Sequence, residues 1–254
     1  MNAKANSSVS ALASASLAER AYRSTQISWT GLRVWFHYQV LSWWDKLCRR
    51  DPDARDLHAV HQKNADLIFR TAVTLRGMLV KMCQVIGTRS DIFPREYVSV
   101  LSQCQDRLPA RKFESIRRVV EEDLGRPIES VFAKFETTPV AAASLAQVHR
   151  AQLVTGEKVA VKVQYPDIEH IMHTDLTASR RIAALYARFS DNPIDFLPLL
   201  DELQTHLRME LDFRREVESA DRVRDFFAHD QDVQVPMVFE EFSTRRIITM
   251  DFVA

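Results

Sequence analysis

The side chain with the clearest chemical potential in this sequence is Lys162, which ends the strand-like run Val-Ala-Val-Lys. A lysine ammonium on a strand beside a loop of small residues can bind the phosphate groups of a nucleotide. Such a loop lies just upstream, where the sequence fits the pattern G-x-G-x-x-G-x-V with alanine at all three glycine positions. The matching residues are Ala141, Ala143, Ala146 and, at the valine position, Val148. The spacing therefore predicts a nucleotide-binding hairpin in which alanine replaces glycine.

Two strands joined by a turn must position this lysine. The turn is predicted at Thr155-Gly156, where glycine provides the positive φ that a tight reversal needs. Successive residues of a strand point to opposite faces, so Lys162 shares a face with Ala160 and Gln164, while valines fill the other face. For the tetrapeptide alone, a surface lysine at the edge of an antiparallel sheet is the better interpretation. The alanine-rich loop upstream makes phosphate binding the better interpretation for Lys162.

The string Ala-Ala-Ala-Ser-Leu-Ala-Gln-Val-His at 141–149, followed by Val-Ala-Val-Lys at 159–162, resembles a known family. It is similar to the alanine-rich loop and strand lysine of the UbiB/AarF family of atypical protein-kinase-like proteins. The resemblance runs from about Leu75 to the C-terminus. It implies an α+β fold in which a helical N-terminal extension packs on a kinase-like small lobe, with an antiparallel β-sheet, an αC-type helix and the large lobe absent.

The resemblance also implies a nucleotide site, with ATP or ADP as the ligand and magnesium in the full-length protein. Glu216 would be the αC-type glutamate that fixes the Lys162 ammonium toward phosphate oxygens. Met250 would be the gatekeeper, and backbone atoms near Val253 would bind adenine. The residues assigned to nucleotide binding in this way are Ala141, Ala142, Ala143, Ser144, Ala146, Val148, Ala160, Lys162, Glu216, Met250 and Val253.

A second family motif, K-x-G-Q, is matched by Lys81 and Gln84, although Cys83 stands where the family has glycine. In the family this motif lies across the nucleotide site and restrains protein-kinase activity. Its lysine engages an E-x-D motif, which Glu210 and Asp212 match here. Because these two acids are two positions apart, they would not share a face of a regular helix. Either the helix bends there or the two acids serve different partners.

An aromatic segment precedes these motifs, since all four tryptophans lie between residues 29 and 44. Arg49 and Arg50 follow it. An aromatic helix with a basic end suits an interfacial membrane anchor, because indole rings settle at the level of the lipid headgroups. A helix packed in the protein core fits the same pattern. The link of the family to lipid-quinone metabolism favours the membrane.

Composition excludes several classes of function. Lys plus Arg and Asp plus Glu total 34 each, so no net charge attracts the chain to nucleic acid. The three cysteines form no C-x-x-C pair, which argues against a disulfide framework or a zinc site. No apolar run reaches the roughly 18 residues that a membrane helix needs.

The apolar pattern predicts helices over 56–105, from Phe113 to Leu124 with an end marked by Gly125, and beyond Pro166 to Phe227. The helical pattern continues over Ile128 to Phe135, and strands are predicted at 233–238 and 246–253. These elements suggest three consecutive segments. Residues 1–50 would form a flexible N-terminus and an aromatic amphipathic helix. Residues 51–130 would form a helical, family-specific extension that carries the K-x-x-Q motif. Residues 131–254 would form a truncated kinase-like N-lobe.

The motifs of the large lobe that complete phosphoryl transfer, D-F-G and H-x-D-x-x-x-x-N, do not occur in the sequence. We therefore expect the N-terminal part of a UbiB/AarF-like atypical kinase or ATPase that binds ATP and supports ubiquinone biosynthesis at a membrane surface, with this fragment itself inactive. The alternative is a non-catalytic, pseudokinase-like interaction or lipid-binding module. Expected partners are a nucleotide, a membrane surface and proteins of lipid or quinone biosynthesis. The expected location is the cytoplasm, peripheral on a bacterial inner membrane, in preference to a mitochondrion.

Overall fold

The structure, a computed structural model, describes residues 2–48, 54–104, 110–189, 195–230 and 232–253. Its α-helices are α1 (Asn2–Cys48), α2 (Ala54–Leu75), α3 (Met78–Thr88), α4 (Arg95–Leu101), α5 (Phe113–Leu124), α6 (Ile168–Phe189), α7 (Leu197–Glu210) and α8 (Phe213–Phe226). Its strands are β1 (Phe132–Phe135), β2 (Ala141–Ala142), β3 (Ala146–Leu153), β4 (Lys158–Gln164) and β5 (Ile247–Asp251). The chain is α+β, as predicted.

The chain divides into two compact units, each built from two stretches of sequence. The helical unit comprises Met1–Gln105 and His170–Asp201, and the sheet unit comprises Asp106–Glu169 and Glu202–Ala254. These boundaries do not coincide with the predicted ones at residues 50 and 130, because His170–Asp201 groups with the N-terminal helices. The division into three functional segments stays a prediction.

Apolar contacts among α1, α2 and α6 form part of the core of the helical unit. Ile27, Leu75 and Ala178 are buried in one cluster, and Leu79 and Ile182 pack against it. Burial of an aliphatic side chain as large as Ile27 or Leu75 contributes about 1.5–3 kcal/mol relative to leaving it exposed. The apolar positions of the helical pattern in the sequence are therefore positions at which the helices of this unit pack.

Helix α1 begins at Asn2, so it runs through the segment for which the sequence indicates a flexible N-terminus. The sequence indicated either the protein core or a membrane surface for its aromatic residues, and the structure shows some of them packed and others exposed. Trp35 packs edge-on against Phe189, with 6.2 Å between the ring centroids. Trp29, Trp43 and most of the neighbouring aromatic side chains are exposed. The basic pair at 49–50 lies outside the described residues.

A buried ion pair crosses the helical unit. The Arg23 guanidinium donates hydrogen bonds to both carboxylate oxygens of Asp175, at 3.1 and 2.6 Å, and to the Leu75 carbonyl at 2.5 Å. The chain leaves α2 there through Arg76 and Gly77, whose φ angles are +59° and +61°. Arg23 thus satisfies a carbonyl that the end of the helix leaves without an intrahelical partner.

The sheet unit contains an antiparallel sheet in the order β1-β3-β4-β5, with β2 paired to β3. Strands β3 and β4 form the predicted hairpin, and Gly156 in its turn has a φ of +111°. Helix α5 packs against β4, where Ile116, Val119 and Val161 are buried. This packing explains why one face of β4 is made of valines.

The predicted helix from Phe113 to Leu124, with its end at Gly125, is confirmed, but the prediction that the helical pattern continues over Ile128 to Phe135 is wrong. The helix ends at Gly125, which is left-handed with a φ of 66°, and a 3₁₀ turn at Ile128–Ser130 leads into β1. Phe132 and Phe135 form an edge-on ring pair within β1. A run of four apolar-rich residues has too few positions for periodicity to distinguish a strand from a helix.

The predicted strand at 233–238 is also largely absent. Only Val238 forms a β-bridge, which pairs it with Met250 of β5. Pro236 has no N–H group to donate to a strand ladder, and the chain turns into a 3₁₀ helix at Glu240–Phe242. The second predicted strand is confirmed as β5.

Candidate functional site

Lys162 and Glu216 form an ion pair on the sheet unit. The Lys162 Nζ donates to both carboxylate oxygens of Glu216, each at 2.7 Å. The same ammonium lies 4.5 Å from the centroid of the buried Phe213 ring. Both charged side chains keep part of their surface exposed, at 28% and 48%. The ammonium is therefore fixed in position while it remains accessible to a ligand.

Helix α8 brings Glu216 to the sheet because its first turn is tied down at two points. Gln164, two residues beyond Lys162 on the same face of β4, donates to the carbonyls of Leu211 at 2.9 Å and Arg245 at 3.3 Å. The Phe213 amide donates to the Arg245 carbonyl at 3.0 Å. Gln164 has no motif of its own in the sequence, so its positioning role was missed. The sequence signal that could have indicated this role is the position of Gln164, two residues after Lys162 on the same face of the strand.

The register of the sheet brings four of the predicted nucleotide-binding residues to one face. Val148 pairs with Lys162 across β3 and β4, and Ala160 pairs with Met250 across β4 and β5. Directly paired residues of an antiparallel sheet point to the same side. All four are partly buried. The result is a patch of small and apolar side chains beside the Lys162 ammonium, which suits a planar base attached to a phosphate.

The alanine-rich loop is a tight hairpin between β2 and β3. Ala141 pairs with Val148, and the Ala143 amide donates to the Ala146 carbonyl at 2.8 Å. The Tyr165 hydroxyl donates to the Ala143 carbonyl at 3.0 Å. Among the described residues, Arg76 alone has a positive φ without being glycine, so no loop position requires glycine. Alanine is therefore compatible with this loop for a conformational reason.

Three further predicted residues lie at the edges of the loop and the strands. Ala142 completes β2, where it pairs with Gln147. Ser144 is buried in the turn that follows, with 6% of its surface exposed. Val253 lies beyond the end of β5 and is exposed. The neighbouring Phe252 ring packs under the Arg150 guanidinium at 4.2 Å.

The two halves of the second predicted motif lie in different units. Lys81 and Gln84 lie on α3 in the helical unit, where Gln84 Nε2 donates to the Cys104 carbonyl at 3.1 Å. Glu210 ends α7 and Asp212 caps α8, so the helix breaks between the two acids, as one of the predicted alternatives requires. A direct hydrogen bond from Arg214 lowers the pKa of the Asp212 carboxyl. Asp212 thus starts the helix that carries Glu216.

The junction of α7 and α8 borders a groove with a volume of about 490 Å³. Its lining carries charges of both signs: His206, Met209, Glu210, Asp212, Arg215, Glu216, Glu218, Ser219 and Arg222. Glu216 therefore contacts Lys162 on one side and borders this groove on another. Within the part of the chain that the structure describes, no group of three or more His, Cys, Asp or Glu side chains could hold a metal ion.

A buried polar network lies on the opposite face of the sheet. The Arg111 amide donates to Gln147 Oε1 at 2.8 Å, and Gln147 Nε2 lies 2.8 Å from His149 Nε2. The other ring nitrogen of His149, Nδ1, lies 2.7 Å from the Glu136 carbonyl oxygen. Because a carbonyl can only accept, Nδ1 carries the proton and Nε2 accepts from Gln147. His149 is therefore neutral in this network.

We expect the sheet unit to lose stability in mild acid through His149. Burial lowers the pKa of His149 below its ordinary value of 6.5, so the folded state binds this proton less readily than the unfolded state. The stabilisation is fully present above the unfolded-state pKa and is lost as the pH falls from there through the lower folded-state pKa. Urea unfolding followed by circular dichroism at several pH values should show this decline.

Substitution of His149 by glutamine should flatten that decline, because the titrating group is removed. The control is His206→Gln, since the His206 side chain is 63% exposed and should leave the pH profile unchanged. Equal slopes in the wild type and in His149→Gln would contradict the assignment of the acid sensitivity to His149.

Comparison with known proteins places this arrangement in a family. The family model described as "ABC1 atypical kinase-like domain" matches residues 103–254. Protein ACTIVITY OF BC1 COMPLEX KINASE 7, chloroplastic, of Arabidopsis thaliana is 38% identical over 195 residues, which cover 76% of this chain and 28% of that protein. AarF domain-containing protein kinase 1 of Mus musculus is 36% identical over 195 residues, which cover 76% of this chain and 37% of that protein.

The chain thus spans about a third of the length of these curated relatives. A solved structure of Rv3197 with erythromycin, from Mycobacterium tuberculosis, is 29% identical with a TM-score of 0.47, over 76% of this chain and 49% of that one. The family model covers more than half of the chain, including the alanine-rich loop, Lys162 and Glu216. The chain belongs to the family of ABC1 (UbiB/AarF) atypical kinase-like proteins.

Proposed function

We propose that this chain is the ATP-binding small lobe, with its N-terminal extension, of an atypical kinase or ATPase. The observation that carries the proposal is the ion pair between Lys162 and Glu216. It holds one ammonium beside the patch formed by Val148, Ala160 and Met250. A cation at fixed distance from an apolar patch can bind a triphosphate and its base together.

The biological setting of the proposal comes from the family. We propose that the full-length protein supports ubiquinone biosynthesis at a membrane surface, with lipid- or quinone-biosynthesis proteins as partners. This chain alone would bind nucleotide weakly and turn none over, because the sequence lacks the D-F-G and catalytic-loop motifs that hold metal and position the acceptor.

The test is a titration of the chain with Mg-ATP and Mg-ADP, followed by isothermal calorimetry and by the thermal unfolding midpoint. Saturable binding that raises the midpoint is expected, since a ligand that binds only the folded state stabilises it by mass action. The alternative is a non-catalytic interaction module in which the ion pair only stabilises the fold. It predicts no heat of binding and no shift of the thermal unfolding midpoint with either nucleotide.

An exposed aromatic stripe on α1 supports attachment to a membrane surface. Tyr22, Trp29, Phe36 and Trp43 recur every seven residues, and 54%, 58%, 58% and 79% of their surfaces are exposed. Residues seven apart lie almost above one another on a helix, so the four rings form one line. Arg33 is exposed near the same line. Among the described residues, no helix is long and apolar enough to cross a bilayer.

Flotation with liposomes of zwitterionic and anionic lipid tests this attachment. The wild-type chain is expected to float with the vesicles, and the triple variant Trp29→Ala, Phe36→Ala, Trp43→Ala is expected to lose most of that binding. Phe226→Ala is the control, because Phe226 is 81% exposed but lies on α8 in the sheet unit. Equal flotation of all three proteins would refute a role for the stripe.

A further inference from the structure

Two cysteines meet where α3 crosses the end of α4. Cys83 and Gly87 lie one turn apart on the buried face of α3. A Cβ at Gly87 would lie 2.6 Å from the Ser102 amide nitrogen, so the backbone at the end of α4 lies directly on this face. One turn back along α3, Gln84 Nε2 holds the Cys104 carbonyl at 3.1 Å. These contacts bring the backbone at Cys104 against α3, next to the face that carries Cys83.

The two thiols contact each other in a closed environment. They are hydrogen bonded to one another, and only 2% of Cys83 and 3% of Cys104 are exposed. The hydrogen bond and burial raise the pKa of Cys83, while the same hydrogen bond lowers the pKa of Cys104. Either sulfur can therefore react first, with the other thiol in place to complete the bond.

We propose that Cys83 and Cys104 form a reversible, peroxide-driven disulfide that locks the helix carrying Lys81 and Gln84 to the end of α4. Both cysteines are free in the structure. Formation of the disulfide would bring the two sulfurs to a bond length of about 2.05 Å. The third cysteine, Cys48, is exposed on α1 and serves as an internal reference.

The chemistry requires a hydroperoxide as the two-electron oxidant. The thiolate of one cysteine attacks one peroxide oxygen, the O–O bond breaks, and hydroxide leaves and takes up a proton to form water. The resulting sulfenic acid is attacked by the sulfur of the other cysteine, the S–O bond breaks, and the oxygen leaves as a second water with the proton of that second thiol. Two thiols and one hydrogen peroxide thus give one disulfide and two waters, and a dithiol reductant reverses the bond.

The disulfide would act on the K-x-x-Q motif because Cys83 lies within it, between Lys81 and Gln84. The bond would close a loop from α3 through α4 and restrict local opening of this part of the helical unit. An effect on nucleotide affinity would follow from the role that the family gives this motif, and that further step rests on the proposed function. Formation of the disulfide does not rest on the proposed function, so the disulfide and the nucleotide site can be refuted separately.

The experiment uses the full chain carrying Cys48→Ser, treated with hydrogen peroxide under native conditions, quenched, alkylated and digested. Mass spectrometry is expected to show a peptide pair linked through Cys83 and Cys104, with free thiols falling from two to none and returning with dithiothreitol. The thermal midpoint of the oxidised protein is expected to rise and to fall back on reduction. Cys83→Ala and Cys104→Ala should each abolish the linked peptide.

The proposal would be overturned if Cys48 in the wild-type chain were oxidised while no linked peptide formed. Linkage that appears only in urea would also overturn it, because the pair would then be a core contact that reacts after unfolding. The mass-spectrometric result on the Cys48→Ser chain does not depend on the folding of the alanine variants. A linked peptide without any change in Mg-ATP binding would leave the disulfide established and remove only its link to the nucleotide site.

Discussion

Replacement of Lys162 by alanine is expected to weaken Mg-ATP binding by about ten- to a hundredfold, since a hydrogen bond to a charged group contributes roughly 1.5–3 kcal/mol. The loss should appear in the calorimetric affinity and as a smaller thermal shift. Glu216→Gln should weaken binding as well, because the ammonium would keep its charge but lose the carboxylate that fixes it at 2.7 Å.

Lys158 provides a matched control for this prediction. It lies on the same strand and face as Lys162, but it is exposed at the start of β4 and pairs with Gln152. Lys158→Ala removes the same charge and should leave nucleotide affinity close to that of the wild type. If both lysine variants weakened binding equally, general electrostatic attraction would explain the effect and the Lys162 site would be refuted.

Replacement of Asp175 by alanine is expected to destabilise the helical unit by about 3–5 kcal/mol, the range found when one partner of a buried ion pair is removed. Arg23 is 4% exposed and Asp175 is fully buried, so the variant would leave a guanidinium buried without its counter-charge. Burial raises the pKa of Asp175 despite Arg23, which shows how strongly this site disfavours a lone charge.

Urea unfolding followed by tryptophan fluorescence is the appropriate measurement. All four tryptophans lie between residues 29 and 44 on α1, and Arg23 lies on the same helix. Asp91→Ala is the control, since Asp91 is exposed and pairs with Arg89 near the surface. Its unfolding midpoint should stay near that of the wild type. A similar midpoint for Asp175→Ala would show that Arg23 finds other partners or water.

The sequence predicted the hairpin and the Lys162–Glu216 ion pair, because residue type and spacing carried that information. A two-residue period around Lys162 was sufficient to give the hairpin and its faces, and the family motif located Glu216 on a helix 54 positions away. The break between Glu210 and Asp212 was one of the two alternatives that helical geometry left open, since residues two positions apart do not share a face of a regular helix.

The features that the sequence did not predict depend on contacts between distant segments. Gln164 reads as one polar residue in a strand, and its two carbonyl partners come from other elements. Arg23 and Asp175 are 152 positions apart, and neither lies in a motif. The short strand β1 follows from its pairing with β3, which periodicity over four residues does not reveal.

The anchoring of α8 has a consequence for control of the proposed enzyme. In protein kinases, displacement of the glutamate-bearing helix is a common way to switch phosphoryl transfer on and off. Here that helix is fastened at its base by Gln164 and by the Phe213 amide, both bonded to the Arg245 carbonyl. Displacing the base of this helix would break the hydrogen bonds from Gln164 and from the Phe213 amide together. The energetic cost of moving Glu216 in that way would therefore include the loss of both anchors.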